Sequence, residues 1–146
     1  NGWRVKATCG AMVCEKGGPE PRPWVGEGLK RRGVARCVIT GRDCEVTSGT
    51  PANNGSVLEF CRAYPDLFLG FWGIDPHKGM KAVHEIMHAV NDLGMRGIAT
   101  DPYLVHIPPH DARYYPLYSK GCELNHPGLH HHRAPAAGAA HGHGLR

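Results

Sequence analysis

The sequence predicts an α/β protein with a parallel sheet, because strand-like and helix-like segments alternate along it. The clearest example is the stretch formed by residues 68–100. Its first strand, residues 68–74, is a short apolar run rich in aromatic and branched side chains and stops at Asp75-Pro76. Its second strand, residues 97–100, stops in the same way at Asp101-Pro102. Together with the helix between them, these strands form a βαβ unit, which is almost always right-handed and implies parallel pairing.

The helix of this unit is predicted from an apolar stripe at helical spacing. The stripe consists of Val83, Ile86, Met87, Val90 and Leu93. Gly94 follows at the position of a left-handed C-terminal cap, and Met95 can pack back against the last turn. The helix is therefore expected to end just before the second strand begins.

Flanking segments extend the alternation in both directions. A helix is predicted over residues 24–32, a buried strand over 36–40 and, after a polar loop, a helix over 56–64. A loop after Pro102 leads to a further predicted helix over residues 112–124. We therefore expect about three βα units with parallel strands, in either a doubly wound sheet or part of an eight-fold barrel.

Composition and charge exclude several function classes. The 146 residues are 41% apolar, enough for one core, and carry a net charge of +4. The one basic run, Lys30-Arg31-Arg32, has no interleaved aromatic residues, so we expect no nucleic-acid partner. No apolar run is long enough to span a membrane, and the first residues do not resemble a signal peptide. We interpret the six cysteines as reduced thiols, which favours a cytoplasmic protein.

Three segments are distinguished along the chain. Residues 1–32 are poorly defined, residues 33–125 carry the βα units, and residues 126–146 form a tail. The tail holds six of the eleven histidines, set among alanine, glycine and proline. It shows no periodicity and cannot bury a face, so we expect it to be disordered.

The predicted central helix carries the pattern His84-Glu85-Ile86-Met87-His88, which matches the H-E-x-x-H motif of zinc peptidases. In those enzymes the two histidines bind the metal and the glutamate is the general base. On a helical wheel His84 and His88 lie on the flank of the apolar stripe, and Glu85 points nearly opposite the core. No third ligand follows at the usual spacing. We therefore favour surface histidines, with a small zinc metallopeptidase as the alternative.

Candidate functional residues lie at the predicted carboxyl ends of the strands, where sites gather in parallel α/β folds. They are Arg42, Asp43, Asp75, His77, Asp101 and His106. Carboxylates and imidazoles that converge on one rim could bind a divalent metal or a polar small molecule. The alternative is that Asp75 and Asp101, each before a proline, only stabilise turns. A non-catalytic α/β binding module also remains open.

Four stretches resemble the amidohydrolase-related family, in the branch of metal-dependent hydrolases and decarboxylases of the aminocarboxymuconate-semialdehyde decarboxylase type. They are Cys37-Val-Ile-Thr-Gly-Arg-Asp43, Tyr64-Pro-Asp-Leu-Phe-Leu-Gly-Phe-Trp-Gly-Ile-Asp-Pro-His-Lys-Gly79, Leu93-Gly-Met-Arg-Gly-Ile98 and Ile107-Pro-Pro-His-Asp-Ala-Arg-Tyr-Tyr-Pro-Leu-Tyr118. The resemblance covers about residues 33–124. It implies a (β/α)8 barrel of roughly twice this length, a divalent metal, often zinc, and a small carboxylate or amide substrate.

The sequence departs from the family pattern at the metal ligands. The family carries His-x-His on its first strand, whereas the first histidine here is His77, and Asp101 replaces a common histidine. Asp101 is therefore a candidate metal ligand. The family continues after Leu124 with an apolar strand, where this chain has its tail. We therefore expect a fragment, inactive or nearly so alone, with a reading-frame slip near Asn125 and open sheet edges that favour self-association.

Overall fold

The computed structural model describes residues 23–130, which form a four-stranded sheet covered by helices. The strands are β1 (Cys37–Thr40), β2 (Phe68–Gly73), β3 (Gly97–Thr100) and β4 (Gly128–His130). All neighbouring strands pair in parallel, and their order in the sheet follows the chain. A doubly wound sheet reverses its strand order at a switch point. The unreversed order here is that of a barrel, so the predicted partial (β/α)8 architecture is confirmed.

Helices precede the first strand and connect each strand to the next. They are α1 (Pro23–Arg31), α2 (Glu45–Ser48), α3 (Asn54–Ala63), α4 (Met80–Asn91), α5 (Pro102–Val105) and α6 (Tyr115–Glu123). Single turns of 3-10 helix, Pro76–Lys78 and Ala112–Tyr114, lie directly before α4 and α6. No helix in the described region is long and apolar enough to cross a membrane.

The strands and long helices predicted from the sequence agree with the structure within a few residues. The exceptions are α2, α5 and β4, none of which was predicted. Each has only three or four residues. A single helical turn cannot display helical periodicity, which hides α2 and α5, and β4 contains only one apolar side chain, Leu129.

The strand β4 corrects the predicted start of the tail at His126. Residues Gly128–His130 pair in parallel with Ile98–Thr100, so the chain returns to the sheet before it leaves the described region. Of the predicted disordered tail, residues 126–146, the part from 131 to 146 lies outside the described residues, as do residues 1–22 of the N-terminal segment. The frame slip near Asn125 stays a prediction.

The buried face of α4 differs from the predicted stripe by a rotation about the helix axis. Ala82, Val83, Ile86 and Ala89 are buried, whereas the Met87 side chain is 38% exposed. The predicted stripe was built from large apolar residues and therefore left out Ala82 and Ala89. With these two alanines included, the buried face is centred on Ile86 and not on Met87. The predicted cap is confirmed, because Gly94 has a φ of 70° and Met95 is buried behind it.

The cysteines in the described region form no disulfide. Cys44, Cys61 and Cys122 carry free thiols, and burial raises the pKa of the Cys61 thiol. Cys122 is exposed near the end of α6. Cys9 and Cys14 lie outside the described residues.

Candidate functional site

The carboxyl ends of the parallel strands form one rim, and the structure brings most of the predicted polar residues to it. Arg42 and Asp43 follow β1, Asp75 and His77 follow β2, and Asp101 follows β3. Because parallel strands end at the same edge, residues distant in sequence come within hydrogen-bonding distance there. The contacts of each side chain determine whether it can still bind a ligand or a metal.

Arg42 reaches across the end of β2 to Asp101. Its Nε donates a hydrogen bond to Asp101 Oδ2 at 2.8 Å. The Asp101 side chain is buried, but that of Arg42 is 51% exposed. The backbone N–H of Arg42 donates to Asn53 Oδ1 at 2.6 Å, which fixes the start of this loop. The terminal nitrogens of the guanidinium have no partner within the described region, so they can still bind an anion.

Asp43 forms a buried ion pair with Lys78. The Lys78 Nζ lies 2.5 Å from Asp43 Oδ2, and the side chains of both residues are largely buried. Glu45 and Glu85 lie farther from the same ammonium, at 3.6 Å and 3.8 Å. Burial by itself lowers the pKa of Lys78, but the hydrogen bond to Asp43 and the neighbouring carboxylates outweigh it, so the net pKa is raised above 10.5. Lys78 is therefore a charged structural anchor and not a neutral nucleophile.

Asp75 is completely buried and its two oxygens accept backbone hydrogen bonds. Oδ1 accepts from the N–H of His77 at 2.9 Å, and Oδ2 accepts from the N–H of Val46 at 3.3 Å. The first of these bonds caps the 3-10 turn Pro76–Lys78. For Asp75 the geometry therefore supports the turn-stabilising role that was weighed against a functional one.

Within the described region, one ring nitrogen of His77 has a hydrogen-bond partner. Its Nε2 lies 2.8 Å from the carbonyl oxygen of Val105, and a carbonyl can only accept, so Nε2 carries the proton. The other ring nitrogen, Nδ1, is left as a potential acceptor on an exposed side chain. His106, the last predicted rim residue, lies in the left-handed region at the end of α5, and its exposed ring contacts none of the other predicted residues in the described region.

The described residues do not fit a metal centre. Asp43 is bound by Lys78, Asp75 by two backbone N–H groups and Asp101 by Arg42. Within residues 23–130 no group of three or more histidine, cysteine, aspartate or glutamate side chains is placed to hold a metal ion. The sequence-based candidate ligand Asp101 is thus engaged by a cation of the protein itself.

The H-E-x-x-H residues of α4 do not converge either. His84 and His88 are exposed, and His88 Nδ1 lies 2.6 Å from Asp92 Oδ2. Glu85 is half-buried and faces Lys78, so the expectation that it points opposite the core is wrong. The two histidines occupy that opposite side instead, because the buried face is centred on Ile86. Without a third ligand in the described region, the peptidase alternative is not favoured.

Asn54 is a rim residue that the sequence analysis missed. Its Nδ2 donates to the carbonyl oxygen of Gly73 at 2.9 Å, and its Oδ1 accepts from the N–H of Gly73 at 2.7 Å. This buried amide therefore substitutes for a strand partner at the end of β2. A Cβ at Gly41 would lie only 1.9 Å from Asn54 Oδ1, so the approach requires glycine. The Asn53-Asn54-Gly55 run reads as a turn, which concealed this role.

His130 anchors the end of β4 in the same region. Its Nδ1 lies 2.6 Å from the hydroxyl oxygen of Thr100 on β3. Its ring packs edge-on against Tyr114 and Tyr118, with centroid distances of 5.9 Å and 5.4 Å. Burial, followed by the charges of Tyr118 and Asp75, raises the pKa of Tyr114 well above its ordinary value of 10.0.

Comparison with known families and structures gives the same architecture. A family model described as amidohydrolase matches residues 23–143, most of the chain. The match continues past Asn125, as β4 does. No curated protein matches the sequence.

Three solved structures are similar to this chain. The 4-oxalomesaconate hydratase of Rhodopseudomonas palustris is 25% identical with a TM-score of 0.55, over 72% of this chain and 35% of that chain. A 2,6-dihydroxybenzoate decarboxylase from Rhizobium is 21% identical with a TM-score of 0.58, over 79% and 40%. A 5-carboxyvanillate decarboxylase from Novosphingobium aromaticivorans, solved with bound manganese, is 23% identical with a TM-score of 0.47, over 51% and 22%.

The matched region accounts for less than half of each of these solved chains. The family match itself extends over far more than half of the sequence, and the sheet has the strand order of the barrel. The chain belongs to the amidohydrolase family.

Proposed function

We propose that the chain is a section of a metal-dependent amidohydrolase-family hydrolase or decarboxylase that acts on a small carboxylate or amide, and that it is inactive or nearly so alone. The observation that carries the proposal is the half-exposed guanidinium of Arg42 at the strand-end rim. Its Nε is fixed by Asp101, and its terminal nitrogens are left for a ligand. Arginine presents these donors as a planar fork that matches a carboxylate.

The neighbouring contacts support substrate binding and not chemistry. Asp101 holds the guanidinium in one orientation, so less side-chain entropy is lost when an anion binds. The carboxylates of Asp43 and Asp75 are already engaged and do not repel that anion directly. His77 follows the same strand ends, and its Nδ1, which has no partner within residues 23–130, would accept a hydrogen bond from a bound ligand.

The proposed inactivity rests on the finding that residues 23–130 contain no cluster of metal-ligating side chains. The family resemblance implies a divalent metal, with zinc as the expectation from sequence. The described residues do not provide its site, so its ligands would have to come from outside residues 23–130. The related 4-oxalomesaconate hydratase has a named substrate that is a carboxylate, which supports the substrate class. Free thiols on Cys44, Cys61 and Cys122 support the cytoplasmic location that we propose.

Titration of the chain with benzoate and malonate, with uncharged benzamide as the comparison, tests carboxylate binding. We expect both anions to bind and Arg42→Gln to weaken them by about tenfold or more, because a charge-assisted hydrogen-bond pair is lost. Arg113→Gln is the matched control, since Arg113 is equally exposed at 50% and also pairs with an aspartate, Asp111. Equal affinities in wild type and Arg42→Gln would refute the role of Arg42.

Metal analysis after dialysis against zinc or manganese tests the proposed inactivity. We expect substoichiometric metal and no decarboxylation of benzoate-type acids by the chain alone. One tightly held metal per chain together with measurable turnover would overturn this part of the proposal, whatever the outcome of the carboxylate titration.

A further inference from the structure

Two neighbouring asparagines at the start of α3 bind the backbones of two strand ends. The N–H of Asn53 donates to the carbonyl oxygen of Arg42 at 3.1 Å, and its Oδ1 accepts from the N–H of Arg42 at 2.6 Å. Asn54 binds the N–H and the C=O of Gly73 through its side-chain amide. We call Asn53 and Asn54 the asparagine pair. Together they satisfy both backbone polar groups of Arg42 and both of Gly73.

Arg42 and Gly73 are opposite each other in the register of the sheet. Thr40 pairs with Phe71, and Gly41 donates its N–H to the carbonyl oxygen of Phe71 at 2.8 Å. Continued by two residues past Thr40, this register sets Arg42 beside Gly73. At that position the backbone groups of both chain segments bind the asparagine pair instead. The pair therefore determines where β1 leaves the sheet and where the backbone of Arg42 lies.

Close packing leaves the backbone of Arg42 little room to move. A Cβ at Gly73 would lie only 2.5 Å from the backbone nitrogen of Arg42, well inside the contact distance of two heavy atoms. A glycine at the end of β2 is therefore required for this approach. The end of β2 and the asparagine pair both contact the backbone of Arg42 and restrict its position.

The side chain of Asn53 does not make the hydrogen bond that its position favours. Asn53 is the N-cap residue of α3, where asparagine is preferred because its Oδ1 can accept from the first turn of the helix. Within the described region Asn53 makes no such bond. Its Oδ1 binds the N–H of Arg42 instead. A local preference that gives way to a long-range contact is typical of a functional site.

Arg42 is thus fixed at both ends of its side chain. Its backbone is held by Asn53, and its Nε is held by Asp101 at 2.8 Å. With both ends fixed, few rotamers of Arg42 keep the bond to Asp101. A guanidinium that is ordered before a ligand arrives loses less entropy on binding.

We propose that Asn53 is a positioning residue for carboxylate binding by Arg42, and that Asn54 supports it by fixing the end of β2. Asn53 does not touch the ligand and acts through the backbone of Arg42. The effect on affinity rests on the proposed function, whereas the ordering of the guanidinium does not. The two are therefore tested separately.

Titration with benzoate measures the effect on affinity. We expect Asn53→Ala to weaken binding by about two- to tenfold, which corresponds to the ordering of one flexible side chain. The matched control is Asn91→Ala, the same change at an exposed asparagine of α4. Val57→Ala is the control for stability, because it removes buried atoms of α3 and leaves the asparagine pair unaltered. Both controls should bind benzoate like the wild type.

Asn53→Ser separates positioning from helix stability. Serine is also a preferred N-cap residue, so it should support the start of α3. Its hydroxyl lies one bond closer to the backbone and cannot keep the 2.6 Å contact with the N–H of Arg42. We therefore expect Asn53→Ser to bind benzoate as weakly as Asn53→Ala, with a higher urea midpoint. Affinity restored by serine would mean that Asn53 only stabilises α3, which overturns the proposal.

A double-mutant cycle with Arg42→Gln shows whether Asn53 acts through Arg42. We expect Asn53→Ala to cause no further loss of benzoate affinity in the Arg42→Gln background. An equal loss in both backgrounds would mean that Asn53 affects binding independently of Arg42, which contradicts the proposed role.

Nuclear magnetic resonance of the arginine side chains tests the positioning without a ligand. The Nε–H of Arg42 should exchange slowly with water because it is bonded to Asp101, and Asn53→Ala should accelerate this exchange. The signal is identified by its loss in Arg42→Gln. The Nε–H of Arg113, which donates to Asp111 Oδ1 at the same distance of 2.8 Å, is the internal control and should not change.

Failure of the positioning role and failure of the proposed function are distinguishable. If benzoate does not bind, or binds equally well to Arg42→Gln, the proposed function fails and the exchange measurement still decides the positioning. Unchanged exchange of the Arg42 Nε–H in Asn53→Ala, or equal acceleration at Arg42 and Arg113, would overturn the inference even if the carboxylate binds.

Discussion

Two regions of the molecule carry side chains of the kind that bind metals, and the structure treats them in opposite ways. At the strand-end rim, Asp43 and Asp75 are buried and hydrogen-bonded. On the outer side of α4, His84 and His88 lie exposed in solvent. The helix carries the more specific sequence motif, but only the rim holds its side chains in buried, hydrogen-bonded positions. Helical spacing tells which residues share a face, whereas the topology decides what that face meets.

Glu85 belongs to both regions, because it is part of the motif on α4 and its side chain faces the rim. It stands at the catalytic position of the H-E-x-x-H pattern, but its side chain lies 3.8 Å from Lys78. It therefore belongs to the carboxylates that surround the buried ammonium of the rim. Of the three motif residues, Glu85 faces the rim, whereas His84 and His88 face solvent.

The largest effect is expected from Lys78→Met, which removes the cation of the rim. Asp43 would be left buried without its charged partner, at a cost of about 3–5 kcal/mol in the free energy of unfolding. The control is Lys81→Met, which replaces an exposed lysine of α4 and should change stability by less than about 0.5 kcal/mol. Urea denaturation of the three proteins measures both values. Equal stability of the two variants would mean that the buried pair contributes nothing.

A smaller effect is expected at alkaline pH, where the rim should respond through Lys78 and Tyr114. Both have a pKa raised in the folded protein, from ordinary values of 10.5 and 10.0. The folded state therefore binds these protons more tightly than the unfolded state, so their stabilisation is complete below about pH 10 and is lost as the pH rises through the folded pKa. Tyr114→Phe removes one of the two groups.

Denaturation midpoints measured between pH 8 and pH 11 check this prediction. The midpoint of the wild type should fall above about pH 10, and that of Tyr114→Phe should fall less steeply. Tyr115→Phe is the control, because Tyr115 is exposed. An alkaline decrease of equal slope in all three proteins would exclude Tyr114 as a source.

The smallest effect on stability is expected from the exposed histidines of α4. His84→Ala and His88→Ala should each change stability by no more than about 0.5 kcal/mol, because both side chains are exposed and the pair with Asp92 lies in solvent. Zinc titration followed by calorimetry should show no tight site that either substitution removes. One zinc bound per chain and lost in both variants would restore the peptidase alternative, and Glu85→Gln would then abolish proteolysis.

Several rim residues could be predicted from the sequence because their position follows from chain order alone. Arg42, Asp75 and Asp101 each come directly after a strand-like apolar run, and parallel strands bring their ends together. Their pairing could not be predicted, since the contact between Arg42 and Asp101 depends on the stagger of three strands. The bond of Lys78 to Asp43 was missed for the same reason. A buried lysine cannot be recognised without its partner.

Other features had weak or misleading signals. Asn54 reads as a turn residue, yet it pairs with both backbone groups of Gly73. Met87 fits an apolar stripe, yet Ala82 and Ala89 take its place because small side chains allow α4 to approach its neighbours closely. β4 contains only Gly-Leu-His and is formed because β3 offers an edge. In each case a long-range partner overrides the local pattern.

The sequence by itself determined the βα alternation, the direction of the strands and the caps that end α4, because these follow from apolar periodicity and from the conformational limits of glycine and proline. Only the packing of these elements against one another settles which charges are buried and which residues of α4 face water. Those outcomes depend on the stagger and packing of segments about 30 residues apart, and no local pattern carries that information.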